Sequence, residues 1–365
     1  MSAKPTVLLD CTSAAKPKRG GIQNYIINLV TALRRREDEF SFVVVIRAGH
    51  MRARRYLVDL APEGVRVLFP VALRQGVLLH ALGVRLPALR LGIRTVATIH
   101  DVGVFDVPEL YSEKWILRRR SRIRQTVRRA DGIAVPAAYT AGRIRELFPW
   151  FRGHIAVTAE GVDLERFSPE ARAEDEQVLA ELGLKRPFVL QVGALAPRKD
   201  PLTTLRAFAG CKEAGDFDLV MPGEGSREYV ERIRKEAESL GVARRLKLIG
   251  FVEPGALPAL YRRCTVFVFP SRYEGFGLPV LEAMACGAPA VLARIPCVSE
   301  VAGPAACYFE PGAHHMLSEI LGDLLRDAGR RERLRAEGIA RSRCFTWDRT
   351  AESTAELYRK ILSLP

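Results

Sequence analysis

The sequence predicts an α/β protein made of two parallel-sheet units in series. Two features carry that reading. Short apolar segments of strand length alternate with helical stretches along the whole chain, the pattern of a parallel sheet covered on both faces. A strand, a glycine-bearing loop and a helix also open each half. At 365 residues there is room for two domains. A hydrophobic content of 48% with 27% charged residues belongs to a folded chain, not a disordered one.

The first half opens with the strand "TVLLDCT" and the loop "SAAKPKRGG". The helix "IQNYIINLVTALRRR" follows, with Ile22, Ile26, Leu29, Val30 and Leu33 at helical spacing. Further strands read "SFVVVI", "VRVLF", "RTVATIHD" and "GIAVP". The segment "TVATIHD" reads as a buried strand ending on His100 and Asp101, and in such sheets ligands sit beyond the carboxyl ends of strands. After "EGVDLERFSP" the pattern restarts: strand "PFVLQVG", loop "ALAPRKD", and a helix from Pro201, a residue favoured in a first helical turn. Then come strand "FDLVMPG", helix "REYVERIRKEAESLG", strand "RLKLIGFV", helix "ALPALYRRC" and strand "TVFVFPS". "PAVLA" and "ACYFE" are the last short strands, and "FTWDRTAESTAELYRKIL" is a terminal helix with Thr346 and Asp348 available as caps. The expected organisation is two Rossmann-like domains, 1–160 and 161–345, with parallel sheets facing a central cleft. Residues 346–365 form a helix packing back toward the first domain.

Composition excludes several classes. Seven scattered cysteines without CxxC spacing argue against a disulfide framework or zinc site and for a reducing cytoplasm. No apolar run reaches membrane-span length, and the N-terminus "MSAKPTVLLD" is too short in apolar residues for a signal peptide. The net charge of +14 is uneven: residues 1–157 hold 27 basic and 12 acidic side chains, and the remainder 29 and 30. The excess in the first half is either a solubilising arginine habit or a surface for an anionic partner. Without an aromatic-interleaved basic stretch or a reader motif, nucleic acid is not the expected partner.

The densest text is "YEGFGLPVLEAMACG". Gly275 and Gly277 permit close approach, and Pro279 starts a helix that Gly287 ends. A helix N-terminus behind a glycine loop is a seat for phosphate. Glu282, one turn in, suits ribose hydroxyls, and Glu274 faces whatever the phosphate carries. The bland alternative is a dipole-complementing Glu282 and a solvated Glu274. Arg198 and Lys199, just beyond the strand that ends at Gly193, would hold the growing charge of a departing diphosphate. Gly223 and Gly225 in "MPGEG", and Gly250, Phe251 and Val252 in "GFV", end two more strands where backbone could face a nucleotide base.

These residues resemble a retaining glycosyltransferase of family 4 with the GT-B fold. The carrying motifs are the E-x7-E segment "EGFGLPVLE" (Glu274 to Glu282), "RKD" at 198–200, "RGGIQNY" at 19–25, "TIHD" at 98–101, "EGVDLERFSP" and "FTWD". The resemblance implies a nucleotide-diphosphate-sugar donor on the second domain and an acceptor on the first. Arg198 and Lys199 would bind the diphosphate, and Glu282 the ribose. Glu274 with the backbone of Gly275, Phe276, Gly277, Leu278 and Pro279 would hold sugar and phosphate. Gly20 and Gly21 would let the donor phosphate approach, His100 would contact the transferred sugar, and Asp101 would support it or meet the acceptor. Catalysis would be hexosyl transfer with retention, by internal return rather than a protein nucleophile, and without a metal or other cofactor. Where the family shows a serine after the last strand of the first domain, this chain has Pro136 and Ala137.

The run resembles bacterial mannosyl- and rhamnosyl-type transferases, which makes GDP-mannose the first donor guess and UDP-sugars the next. The acceptor expected is a saccharide or lipid-linked saccharide. A nucleotide-sugar epimerase, a sugar phosphorylase and an inactive sugar-nucleotide-binding protein are the rivals, and the intact Arg198, Lys199, Glu274 and Glu282 set disfavours them. Seven arginines lie between Arg118 and Arg129, in a helical stretch with Trp115, Ile116, Ile123 and Val127. That helix either covers the sheet with solvated arginines or docks, with Arg52, Arg54 and Arg55, on anionic lipid headgroups. The second case would make the protein peripheral on the cytoplasmic membrane.

Overall fold

The computed structural model describes residues 4–16, 20–61, 63–68, 78–87 and 92–364, without the side chains of Met51 and Arg54. Arg19 of the "RGG" run and Arg54 of the basic patch therefore lie outside the described residues and side chains. The chain divides into two compact units. One is Met1–Gly161 with Thr346–Pro365, the other Val162–Phe345.

The first unit runs β1 (Thr6–Asp10), α1 (Gly21–Arg34), β2 (Ser41–Ile46), β3 (Arg66–Val67), β4 (Leu78–Ala81) and β5 (Arg94–Thr98). It continues with α2 (Gly103–Asp106), α3 (Glu113–Val127), β6 (Gly132–Val135), α4 (Ala138–Leu147) and β7 (His154–Val157). Its sheet is parallel throughout, in the order β3-β2-β1-β4-β5-β6-β7. The second unit holds α5 (Glu174–Glu181), β8 (Phe188–Leu190), α6 (Pro201–Gly210), β9 (Asp218–Pro222), α7 (Arg227–Ser239) and β10 (Leu246–Gly250). It goes on through α8 (Leu257–Arg263), β11 (Val266–Phe269), α9 (Leu278–Ala285), β12 (Ala290–Ala293), α10 (Pro296–Ala302) and β13 (Cys307–Phe309). Helices α11 (His314–Arg326) and α12 (Ala328–Ser342) complete it, and α13 (Trp347–Leu362) belongs to the first unit. The second sheet, also parallel, is ordered β10-β9-β8-β11-β12-β13. These are two Rossmann-like α/β units, as the sequence predicts.

Three details depart from the sequence reading. First, β4 and β7 add to the predicted strands. β4 lies centrally between β1 and β5 and is buried along its length, but a histidine in its four residues hides the apolar run. β7 is a partly exposed edge strand without alternation to announce it. Second, β5 stops at Thr98, not at Asp101. One more ladder bond, Ile99 N–H to Ala134 O at 2.9 Å, releases His100 and Asp101 onto the loop beyond. Third, Ile22 is 40% exposed while Tyr25 takes the core-facing place on α1. Tyr25 can be buried because its hydroxyl meets Thr98 Oγ1 at 3.0 Å.

That contact is one link of a polar chain inside an apolar core. His80 on β4 shares its Nδ1 with the Tyr358 hydroxyl of α13 (2.6 Å) and its Nε2 with Thr98 Oγ1 (2.9 Å). His80, Thr98, Tyr25 and Tyr358 are each at most 1% exposed. Unmade, each buried bond would leave a polar group unsatisfied at a cost of about 1–3 kcal/mol, so the network dictates where α13 docks. The start of α13 is set by Thr346, whose hydroxyl accepts from Arg349 N–H, and Asp348 sits in the first turn. Among the described residues no helix is long and apolar enough to cross a membrane.

Burial, with a smaller contribution from the nearby His100, lowers the His80 pKa from 6.5 to about 3. Between those values the unfolded chain binds a proton that the native protein refuses, so stability is full above pH 6.5 and falls as pH drops toward 3. The expected limit is about 1.4 kcal/mol per pH unit from this one group. Chemical denaturation from pH 7 to 4 checks it, and His80→Gln should flatten the slope while lowering stability at neutral pH.

Candidate active site

In the second sheet the strand order reverses between β8 and β11, and the crevice at the carboxyl ends of such a pair is where α/β sheets bind ligands. The chain leaving β8 forms the turn Pro197–Lys199, and the chain leaving β11 delivers Glu274. Lys199 Nζ lies 2.5 Å from Glu274 Oε1 and Arg198 Nη1 lies 3.0 Å from Oε2. Arg198 also donates to Tyr273 O at 2.7 Å, and Arg272 N–H donates to Arg198 O at 2.9 Å, so the two loops are sewn together. Gln191, a residue the sequence reading passed over, fixes the turn by donating to Lys199 O at 3.0 Å. The Lys199 ammonium lies 4.9 Å from the Phe269 ring centroid, a cation–π contact.

The turn ends on Asp200, the one non-glycine residue with positive φ (46°) among the described residues. Thr203 Oγ1 donates to its carboxylate at 2.9 Å, which braces a conformation that costs on the order of 1–3 kcal/mol. Burial alone would raise the Glu274 pKa, but the Lys199 and Arg198 cations outweigh it and hold it down to about 2. Burial pulls the Lys199 pKa below its ordinary value against the opposing attraction of Glu274. Two cations against one carboxylate leave a surplus positive charge in a largely dehydrated site, the condition for capturing a phosphate.

Beyond Glu274 the chain passes Gly275 and enters α9 through Gly277, whose φ of 121° requires glycine. Phe276 is 5% exposed and packs edgewise on Phe345, so its side chain anchors the loop. Glu282 lies on α9, and the buried Tyr261 hydroxyl of α8 donates to its Oε2 at 3.2 Å. Tyr261 was not singled out in the sequence, where it reads as one apolar position of an amphipathic helix.

The glycines after β8, β9 and β10 serve a purpose that was not anticipated for them. A Cβ on Gly223 would sit 1.9 Å from Gly193 O, and one on Gly225 2.3 Å from Leu195 O. Gly223 N–H also donates to Gly250 O at 2.7 Å. Gly223 and Gly225 are therefore demanded by strand ends packing on each other. Phe251, 44% exposed, and Val252, 8% exposed, follow Gly250.

The first unit places its own residues as follows. Gly20 caps α1, its N–H donating to Gln23 Oε1 at 2.9 Å, while Gln23 Nε2 donates to Ala14 O and Lys16 O at 3.2 and 3.0 Å. This buried glutamine, also missed in the sequence, ties the loop after β1 to the start of α1. A Cβ on Gly21 would meet nothing within 4 Å. The fold itself does not demand that glycine, which leaves open space at a helix N-terminus. His100 is 8% exposed, with Nε2 3.2 Å from Leu82 O and Nδ1 3.5 Å from Glu160 Oε1. Asp101 Oδ1 accepts from Gly103 N–H at 3.1 Å and its Oδ2 lies 3.8 Å from Arg119 Nη2, so this carboxylate is engaged locally. Arg198, Lys199 and Glu274 thus form one cluster, Glu282 stands on the helix that follows, and His100 and Asp101 belong to the other unit.

Two substitutions separate these roles. Lys199→Ala strands a buried Glu274 carboxylate beside Arg198 alone and should destabilise the second unit by roughly 3 kcal/mol, read from urea unfolding. Gly21→Ala should leave the melting temperature unchanged or raise it, since alanine is the better helix former, and any loss of transfer would report on the ligand side.

Comparison with known proteins follows the same division. The model for "Glycosyl transferases group 1" matches residues 174–341, and that for "Glycosyltransferase Family 4" matches residues 19–166. O-antigen chain mannosyltransferase B of Escherichia coli is 28% identical over 277 residues, covering 73% of this chain and 71% of that protein. A D-inositol 3-phosphate glycosyltransferase of Salinispora tropica is 34% identical over 260 residues, 66% of this chain and 53% of its own. The serotype-specific mannosyltransferase WbdA of Escherichia coli, 29% identical, is much longer: the match covers 76% of this chain but 35% of that protein. Among solved structures, sucrose-phosphate synthase of Thermosynechococcus elongatus superposes with a TM-score of 0.76 at 20% identity, covering 99% of this chain and 100% of the other. Anabaena HepE in complex with UDP and glucose gives 0.75, also at 20% identity, over 98% and 100%. The two matched segments take in the second sheet, all of the first but β1, and the Arg198, Lys199, Glu274, Glu282 and His100 described above, and the chain belongs to the glycosyltransferase family they describe.

Proposed function

We propose that the protein transfers a hexosyl group, with retention at the anomeric carbon, from a nucleotide-diphosphate sugar to a saccharide or lipid-linked saccharide. The observation that carries this reading is the Arg198–Lys199–Glu274 cluster at the strand-order reversal of the second unit. Its two cations, with the N-terminus of α9 behind Gly277, suit a diphosphate leaving group whose negative charge grows as the glycosidic bond breaks. Glu282, steadied by Tyr261, suits the ribose hydroxyls, and Glu274 the sugar hydroxyls. The chemistry asked of the protein is charge stabilisation and positioning. The names of the mannosyltransferase relatives favour mannose as the sugar and GDP-mannose as the donor, with UDP-sugars as the alternative. No metal or other cofactor enters this reading.

Thermal unfolding in the presence of GDP-, UDP-, dTDP- and ADP-sugars tests it. One nucleotide class should add about 2–3 kcal/mol of stability at roughly a hundredfold excess over Kd. Glu282→Ala and Lys199→Ala, each referred to its own ligand-free protein, should lose most of that gain. Stabilisation by none of the four would refute the assignment, and donor turnover should survive EDTA.

A specific observation also favours a membrane surface as the site of action. On α3, Trp115 and Leu117 are 48% and 63% exposed beside the exposed Arg118, Arg122 and Arg124, with Arg128 exposed at its C-cap. An indole, a leucine and guanidinium groups on one exposed helix are what an anionic lipid interface accepts, and they suit a lipid-linked acceptor. Co-sedimentation with phosphatidylglycerol vesicles at low salt is expected, falling with added salt and absent with phosphatidylcholine alone. Failure to bind the anionic vesicles at low salt would remove the membrane from the proposal.

A further inference from the structure

One buried carboxylate of the first unit has no part in the reading above. Glu160, just after β7, is 5% exposed, and its Oε1 lies 3.5 Å from His100 Nδ1. A carboxyl group is rarely kept out of water without a partner, and here the group that faces it is an imidazole. The opposite ring nitrogen, Nε2, lies 3.2 Å from Leu82 O. A carbonyl only accepts, so Nε2 is the donating nitrogen; a bond between Nδ1 and Glu160 then needs a proton of its own, on the ring or on the carboxyl. Tyr25 closes a third side, edge-on to the imidazole at 4.6 Å between centroids and 89° between planes.

What places Glu160 comes from the far end of the chain. Thr350 Oγ1 on α13 donates to Ala159 O at 2.7 Å. Gly161 lies so close to the same helix that a Cβ would sit 2.3 Å from Trp347 N. The Trp347 ring lies 6.1 Å from that of Tyr25, and the Tyr358–His80–Thr98 chain ends on the Tyr25 hydroxyl. Helix α13 therefore braces Glu160 on one side of His100 and Tyr25 on another.

We propose that Glu160 is a positioning residue for His100, setting the orientation and proton placement of its imidazole, and that α13 is the brace that holds Glu160 there. The inference rests on His100 meeting the transferred sugar. In 15N-histidine-labelled protein the His100 signals are identified by their loss in His100→Asn. In Glu160→Gln, which keeps the side chain's size, the His100 Nδ1 resonance should move while the other histidines stay in place.

With GDP-mannose as donor and water as acceptor, Glu160→Gln should lower kcat by on the order of 10- to 100-fold with little change in donor KM. Glu160→Asp should recover part of the rate, and Glu160→Gln should add nothing to the loss in His100→Ala. Should Glu160→Gln fail to fold, Thr350→Val, which removes the hydroxyl's bonds to Ala159 O and to Thr346 O, should move the same resonance by a smaller amount. An unmoved His100 Nδ1 resonance in both overturns the proposal. A moved resonance with His100→Ala as active as the parent chain overturns instead the role given to His100.

Discussion

The second unit depends on one ionic contact, the Glu274 carboxylate held between Lys199 and Arg198. Glu274 and Lys199 are 75 residues apart in the chain, and the loops that carry them leave adjacent strands on either side of the sheet's reversal. Without the contact, Lys199 and Glu274 would be left as charges in a site nearly closed to water, each owing a desolvation cost that the other largely offsets. With it, the two loops acquire one geometry and the site keeps a net positive charge. The strained Asp200, the Gln191 side chain and the cation–π contact with Phe269 all hold the Lys199 end in place. A site of this kind is preorganised before any anion arrives, which is what makes such charges effective in stabilising a developing phosphate.

The first unit solves the same problem of placing polar groups by different means. Its charged residues near His100 are few, and the ring is held by a carbonyl, a carboxylate and an aromatic edge. Behind them runs a neutral chain of hydroxyls and imidazole, buried and mutually satisfied. Such a network tolerates no partial formation, because each orphaned member would cost about as much as the bond it lost. Its last member stands on α13, so the closing helix of the sequence is part of the scaffold on which His100 rests.

Much of this was legible in the residues alone. The E-x7-E segment, the adjacent cations at 198 and 199 and the glycine-led helix are local patterns with a local physical meaning, and the structure brings Arg198, Lys199 and Glu274 into contact. The strands of the second unit were readable because each is a short apolar run bounded by glycine, proline or polar residues. β4 was not, since a buried histidine looks polar until Tyr358 and Thr98 are beside it. The glycines at 223 and 225 were visible, but their packing demand was not: only the neighbouring strand ends show that the space a side chain would need is already filled.

The sequence by itself determined the fold class, the family and the Arg198, Lys199 and Glu274 that meet in one cluster, because those rest on periodicity and on motifs contained within a few tens of residues. Tertiary structure decided which polar residues support them. Tyr261 against Glu282, Gln23 across the first loop, Glu160 and Tyr25 around His100, and His80 between Thr98 and Tyr358 are all contacts between segments that the chain brings together only on folding. A buried polar side chain is defined by its partner, and no local pattern announces a partner supplied by a distant segment of the chain.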